Sequence, residues 1–226
     1  MKHVAKKRFG QNFLTDQGVI NSLVEAIAPQ AADLMVEIGP GLGALTKPLL
    51  QQLKQLHVVE VDRDIIAWMQ AEYAKPAYAQ SNISIHNADA LKFDFSSLGQ
   101  GLRVTGNLPY NISTPILFHL LANVSHITDM HFMLQKEVVE RMVAPPGGRD
   151  YGRLSVMLQW RYQMDLLFIV PPTAFDPPPK VESAIVRMRP LANPLACEES
   201  KLQQVVMKAF SQRRKVLRNC VAGMFT

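Results

Sequence analysis

The chain has 226 residues, 48% of them hydrophobic and 19% charged. That is enough apolar material for one large core with a small appendage, and it excludes a chain left disordered for want of core-forming residues. Lys and Arg number 24 against 19 acids, and the resulting net charge of +5 favours an anionic partner without naming it.

Basic residues crowd the two ends: Lys2, Lys6, Lys7 and Arg8, then Lys208, Arg213, Arg214, Lys215 and Arg218. They read either as solvated helix faces or as two edges of a phosphate-binding surface. No apolar run approaches the ~18 residues of a membrane span, and no apolar stretch follows the basic start as a secretory signal requires. A cytoplasmic protein without a membrane partner is expected. Cys197 and Cys220 form no CxxC, and His119, His126 and His131 lack the spacing of a helical metal pair, so no metal is expected.

In chain order, residues 19–28 carry apolar side chains at helical spacing and stop at Pro29. Leu34 to Ile38 is a short apolar strand that runs into Gly39-Pro40-Gly41-Leu42-Gly43, and a helix follows from about Ala44 to Leu53. His57 to Val61 is a second strand, with a helix from Arg63 to Tyr73. Ile83 to His86 is a third strand, ending in Asn87-Ala88-Asp89-Ala90. Arg103 to Gly106 is a fourth, running into Asn107-Leu108-Pro109-Tyr110. Ser113 to Ala122 reads as a helix with Ser113 as N-cap and Pro115 in its first turn. Met130 to Leu134 is a fifth strand, followed by helices at 136–143 and 152–162. Leu166 to Val170 and Ser183 to Arg189 read as an antiparallel pair closing the sheet edge, joined by a proline-stiffened loop that carries Phe175. Pro190 to Pro194 reads as a linker to a basic helical end. Alternating strands and helices predict an α/β fold with a mostly parallel sheet covered on both faces.

The glycine loop follows a strand and opens a helix, where the backbone can turn tightly and come close to a ligand. Gly39, Gly41 and Ala44 also satisfy the relaxed dinucleotide fingerprint, and Glu60 stands about 20 residues on, where that fingerprint places a ribose-binding acid. A nicotinamide cofactor and S-adenosylmethionine (SAM) therefore compete for this loop. Asp89 and the Asn107–Tyr110 segment favour SAM. All four positions fall at the carboxyl ends of successive strands, the crevice where open α/β sheets bind ligands, and a dehydrogenase has no use for Asn-Leu-Pro-Tyr.

A methyltransferase acting on an amine does. The N6 lone pair of adenine is delocalised into the ring, so the protein must localise it and align nitrogen with the methyl donor. The Asn107 side-chain oxygen and the Leu108 carbonyl are a natural pair of acceptors for the two N6 hydrogens. Pro109 stiffens the turn and Tyr110 offers a ring to stack on the base. Phe175 is a second aromatic candidate; it reads either as a base platform or as a plug in the core beneath a surface loop.

Taken together, Arg8-Phe9-Gly10-Gln11-Asn12-Phe13-Leu14, Glu37-Ile38-Gly39-Pro40-Gly41, Glu60-Val61-Asp62, Asn107 to Ser113, Phe175 to Val181 and Phe210 to Lys215 resemble the KsgA (RsmA) family of bacterial small-subunit rRNA adenine dimethyltransferases. The resemblance implies a Rossmann-like class I SAM-dependent methyltransferase domain over 1–190, with a seven-stranded sheet, and the start of a helical RNA-binding domain over 191–226. Members usually continue for several tens of residues further, so this helical domain is expected to be incomplete. The resemblance also implies N6,N6-dimethylation of two adjacent adenosines in the 3′-terminal hairpin of 16S rRNA, within an assembling 30S subunit, with S-adenosylhomocysteine as product; a monomer is expected. It places Asn12, Leu14, Gly39, Gly41, Glu60, Asp89 and Asn107 at the cofactor, and Asn107, Leu108, Pro109, Tyr110 and Phe175 at the base. Lys6, Lys7, Arg8, Arg213, Arg214 and Lys215 are the expected RNA contacts. A 23S rRNA methyltransferase of the antibiotic-resistance type, a non-catalytic assembly factor and an NAD enzyme are the rival readings.

Overall fold

The computed structural model describes residues 11–80, 82–212 and 215–224. Lys2, Lys6, Lys7, Arg8, Arg213 and Arg214 lie outside them.

Helix α1 (Gln17–Ile27) starts two residues before the apolar spacing suggests, because the Asp16 carboxylate accepts from the Val19 amide at 2.9 Å and caps it. Ile20, Leu23, Val24 and Ile27 form its buried stripe. Strands β2 (Leu34–Ile38), β3 (Gln55–Glu60) and β4 (Asn82–Asn87) follow, with α2 (Thr46–Leu50) and α3 (Arg63–Tyr73) as crossovers. Beyond them come β5 (Leu102–Asn107), α4 (Ser113–Leu121), β6 (Ile127–Gln135), α5 (Lys136–Val143), α6 (Arg153–Gln159), β7 (Tyr162–Val170) and β9 (Ser183–Pro190). A two-residue strand β1 (Phe13–Leu14) pairs antiparallel with β8 (Phe175–Asp176) as a separate ribbon. The chain ends in α7 (Glu199–Ala209) and α8 (Leu217–Cys220).

The main sheet has seven strands in the order β4-β3-β2-β5-β6-β9-β7, parallel from β4 to β6 and antiparallel at β9 and β7. Both faces are covered, so adjacent residues of one strand enter different cores. Val36, Ile38, Val104 and Phe132 pack with Ile116, Leu117 and Leu120 of α4. Met35, Val58, Met133 and Ile185 face the other way, into the core holding the α1 stripe and Ile65 and Met69 of α3. Arg103 ties the bottom of the sheet to α1: its guanidinium donates to the Ile27 carbonyl at 2.6 Å and pairs with Asp33 and Asp129. An otherwise orphaned helix-end carbonyl is thereby satisfied.

Two local expectations need correction. Ser113 is not the N-cap of α4; Ile112 holds that place, and the Ser113 hydroxyl instead donates back to the Tyr110 carbonyl at 3.2 Å. The helix expected over 152–162 ends at Gln159, because Tyr162 already belongs to β7, where it pairs with Pro190.

Candidate active site

The strand order reverses at β2. From there the chain winds outward through β3 and β4, then returns to place β5 on the other side of β2. The carboxyl ends of β2 and β5 therefore part at a topological switch point, where such sheets bind ligands. Gly106 lets the two strands approach this closely: a Cβ there would lie 2.3 Å from the Ile38 carbonyl oxygen. A cavity of about 800 Å³ opens above this point.

The glycine loop forms one wall. Gly39, Gly41 and Gly43 have φ of 65°, 53° and 77°, in the left-handed region that side chains resist. The Gly39 amide donates to the Val59 carbonyl, which fixes the loop to the end of β3. There Glu60 turns its carboxyl inward and Oε1 accepts from the Val61 and Asp62 amides, both at 2.8 Å. Burial pushes the Glu60 pKa up, while those amides and that of Gly41 pull it down. Asp89 lies at the cavity wall beyond β4, its Oδ1 accepting from the Leu91 amide.

The fourth wall is Asn107 to Tyr110. Asn107 Nδ2 donates to the Asn12 carbonyl at 3.0 Å, which leaves Oδ1 to accept. The Leu108 amide donates to the Met133 carbonyl, continuing the β5–β6 ladder by one bond. The Pro109 carbonyl accepts from the Ile112 amide, and that of Tyr110 from the Ser113 hydroxyl. No donor among the described residues meets the Leu108 carbonyl, so the segment presents two acceptors, Asn107 Oδ1 and Leu108 O. Tyr110 lines the cavity, and its phenol bonds the Ser183 hydroxyl at 2.7 Å.

Asn12, Leu14, Gly39, Gly41, Glu60, Asp89, Asn107, Leu108, Pro109 and Tyr110 are thus brought to one cavity. Phe175 is not among its lining residues. Its ring is buried in the core with Leu14, its register partner across the β1–β8 ribbon, so the core-plug alternative describes its place. Lys215 is exposed and lines a separate groove beside Tyr151 and Phe210.

Glu37, which opens the Glu-Ile-Gly-Pro-Gly motif, is a further ionisable group in the cavity wall. The residue is 2% exposed, and its carboxyl accepts from Thr46 Oγ1 at 2.6 Å. Burial raises its pKa to about 7, against the Thr46 hydrogen bond and with the help of nearby Glu60. An acid opening a glycine loop is a visible signal; its burial is not.

Among the described residues no group of three or more His, Cys, Asp or Glu is placed to hold a metal, and no helix is long and apolar enough to cross a membrane.

Residues 2–225 match the model of the family described as ribosomal RNA adenine dimethylase. The chain belongs to that family. A ribosomal RNA small subunit methyltransferase A from Herminiimonas arsenicoxydans is 64% identical over the whole of this chain and 88% of its own length. Among solved structures, a dimethyladenosine transferase from Plasmodium falciparum superposes with a TM-score of 0.83 at 28% identity, over 92% of this chain and 74% of that one. The 23S rRNA methyltransferase ErmE gives 0.76 at 26% identity, over 93% of this chain and 83% of its own. This rRNA adenine dimethylase is thus a SAM-dependent methyltransferase with the class I fold, and RNA is its substrate. Its cavity suits SAM. The volume lies in the range of cofactor sites, roughly 300–1,000 Å³, and a carboxylate at the end of β3 faces the cavity beside an open glycine loop.

Proposed function

We propose that this dimethylase modifies N6 of two adjacent adenosines in the 3′-terminal hairpin of 16S rRNA, within the 30S subunit or its precursor. The observation that carries the reading is the acceptor pair, Asn107 Oδ1 and Leu108 O, at the switch point. The small-subunit name of a relative 64% identical to this chain supports the choice of RNA. A ribosomal substrate in turn agrees with a cytoplasmic monomer.

When bound, SAM supplies a methyl group made electrophilic by its sulfonium, and S-adenosylhomocysteine remains. The chain's own residues do the rest, with no metal. Gly39 and Gly41 admit the cofactor, the Glu60 carboxylate takes its ribose hydroxyls, and Asp89 meets the adenine edge. Asn12, Leu14 and Asn107 close the near side. Asn107 Oδ1 and Leu108 O accept the two N6 hydrogens of the target base, which draws its lone pair out of the ring. As positive charge builds on nitrogen these bonds strengthen, so they act on the rate. The N6 proton then leaves without a dedicated base. Pro109 holds the Leu108 carbonyl in place, and Tyr110 stacks on the flipped base. Phe175 packs in the core beside Leu14, which lines the cavity. Lys6, Lys7, Arg8, Arg213, Arg214 and Lys215 contact RNA phosphates, the last three within a helical RNA-binding unit starting near residue 191.

The test is transfer of labelled methyl groups from SAM to unmethylated 30S particles and to 50S particles, followed by nucleoside mass spectrometry and site mapping. N6,N6-dimethyladenosine at adjacent positions of 16S rRNA is expected. Label confined to 23S rRNA would instead assign the ErmE-like reading, which the fold likeness to that enzyme keeps in view.

A further inference from the structure

We infer that Ser183 is a positioning residue: its buried hydroxyl pins the Tyr110 ring as a fixed stacking wall for the target adenine. The inference rests on the proposed role of Tyr110 at the base. Ser183 opens β9, is fully buried and does not line the cavity, so any effect it has on substrate passes through another group. The group it meets is the Tyr110 phenol, 2.7 Å away, in a hydrogen bond in which either hydroxyl can donate. It is the one side-chain partner that Ser183 has among the described residues.

The contact does more than satisfy two hydroxyls. Tyr110 sits in a turn outside any strand or helix, where a side chain attached only through its backbone would sample several rotamers. Here it is held at both ends. Ser113 Oγ donates to its carbonyl, and Ser183 holds its phenol. Ser183 is itself fixed by the sheet, paired with Gln135 on β6 and with Val170 on β7. Val170 and Ser183 also bracket the loop that carries Phe175. A single hydroxyl thus couples the base-pocket turn to the root of the proline-rich loop. Stacking contributes to catalysis only if the ring is already in plane when the base arrives, because ordering it then would oppose binding.

Ser183→Ala removes the pin from one side and Tyr110→Phe from the other, while keeping the ring. Each should slow single-turnover methyl transfer on 30S particles by about tenfold, the size of one hydrogen bond expressed as a rate. SAM affinity by calorimetry should be unchanged, and the monomethyl-to-dimethyl ratio of product should rise. The decisive measurement is the double variant. If Ser183 acts through the phenol, Ser183→Ala adds nothing in the Tyr110→Phe background. Should the two losses multiply, or Tyr110→Phe turn over as wild type, the pinning role is refuted. Tyr110→Phe keeps the question open to test even if Ser183→Ala does not fold. Wild-type protein inactive on 16S rRNA would strike the proposed function instead, so the two failures are separable.

Discussion

Glu37→Gln isolates the buried acid beneath the glycine loop. In the folded chain its pKa rises from 4.5 to about 7 because burial disfavours the charge. The folded state therefore holds a proton that the unfolded chain has released between those values, and the contribution to stability falls as pH rises through that interval. At about 1.4 kcal/mol per pKa unit, the raised pKa costs about 3 kcal/mol of stability above pH 7 and about half that near pH 5.5. Gln keeps an oxygen that accepts from Thr46 and carries no charge, so any packing penalty it introduces is the same at every pH. The variant should then gain about 2 kcal/mol on wild type between pH 5.5 and 8, or about 4–8 °C in Tm for a chain of this size. Thermal unfolding of the SAM-free protein across that range reads it directly. A wild-type-minus-variant difference that stays flat with pH would refute the buried-acid argument. There is a functional corollary: a cationic ligand arriving beside Glu37 lowers its pKa, so SAM binding near pH 7 should release protons, which calorimetry in buffers of different ionisation enthalpy detects.

Asn107→Ala should slow methyl transfer by about a hundredfold at saturating SAM, the size of one preorganised hydrogen bond to developing charge, with a smaller loss in 30S binding; wild-type turnover would end the acceptor-pair mechanism. Glu60→Gln keeps an acceptor for the Val61 and Asp62 amides but removes the charge offered to the ribose, so SAM affinity should fall about tenfold, and unchanged affinity by calorimetry removes Glu60 from the site. Gly106→Ala drives a Cβ into the Ile38 carbonyl, and should lower stability by at least the ~1–3 kcal/mol of an overpacked core while also weakening SAM binding; wild-type Tm and affinity would mean the strands part without cost. His57 and His86 share a hydrogen bond at 3.0 Å, and burial lowers both pKa values below 6.5, with His86 adding to the effect at His57; stability present above 6.5 is lost as pH falls through the folded values, and His57→Gln should flatten that acid limb in denaturant titrations.

The parts of the site readable in the sequence are those in which chemistry and spacing are local. A glycine loop between a strand and a helix, an acid closing the next strand and Asn-Leu-Pro-Tyr after the fourth each keep ligand-facing groups within a few residues, and the parallel sheet then collects them. What was hidden depends on long-range packing. Ser183 meets Tyr110 across 73 residues, and nothing in Val-Glu-Ser-Ala announces it. The β1–β8 ribbon is two residues long, too short for any periodicity to show. The sequence favours Phe175 as a base platform, since an aromatic held beside prolines suits stacking, and only long-range packing reveals that the ring lies in the core with Leu14. Ser113 is a good capping residue by type, but the helix begins one residue earlier, with Ile112 in the N-cap position and no side-chain cap, and the Ser113 hydroxyl turns back to the Tyr110 carbonyl.

The acceptor arrangement also bears on how one cavity performs two transfers. Pro109 and Tyr110 have their carbonyls occupied by Ile112 and Ser113, whereas the Leu108 carbonyl meets no donor among the described residues. An unmodified adenine amine has two hydrogens for two acceptors. After the first transfer it has one, and one acceptor loses its partner while a methyl group must be housed. Hydrogen bonding alone therefore positions the monomethylated base less well than the unmodified one. What does not change between the two steps is the π-face of the base and the ring that meets it. On the proposed reading of Tyr110 as the stacking wall, a ring fixed at both ends, by Ser113 and Ser183, carries a larger share of the alignment in the second transfer than in the first. The rigidity of that turn is thus a requirement of dimethylation more than of methylation, and loosening it should leave the first product in excess.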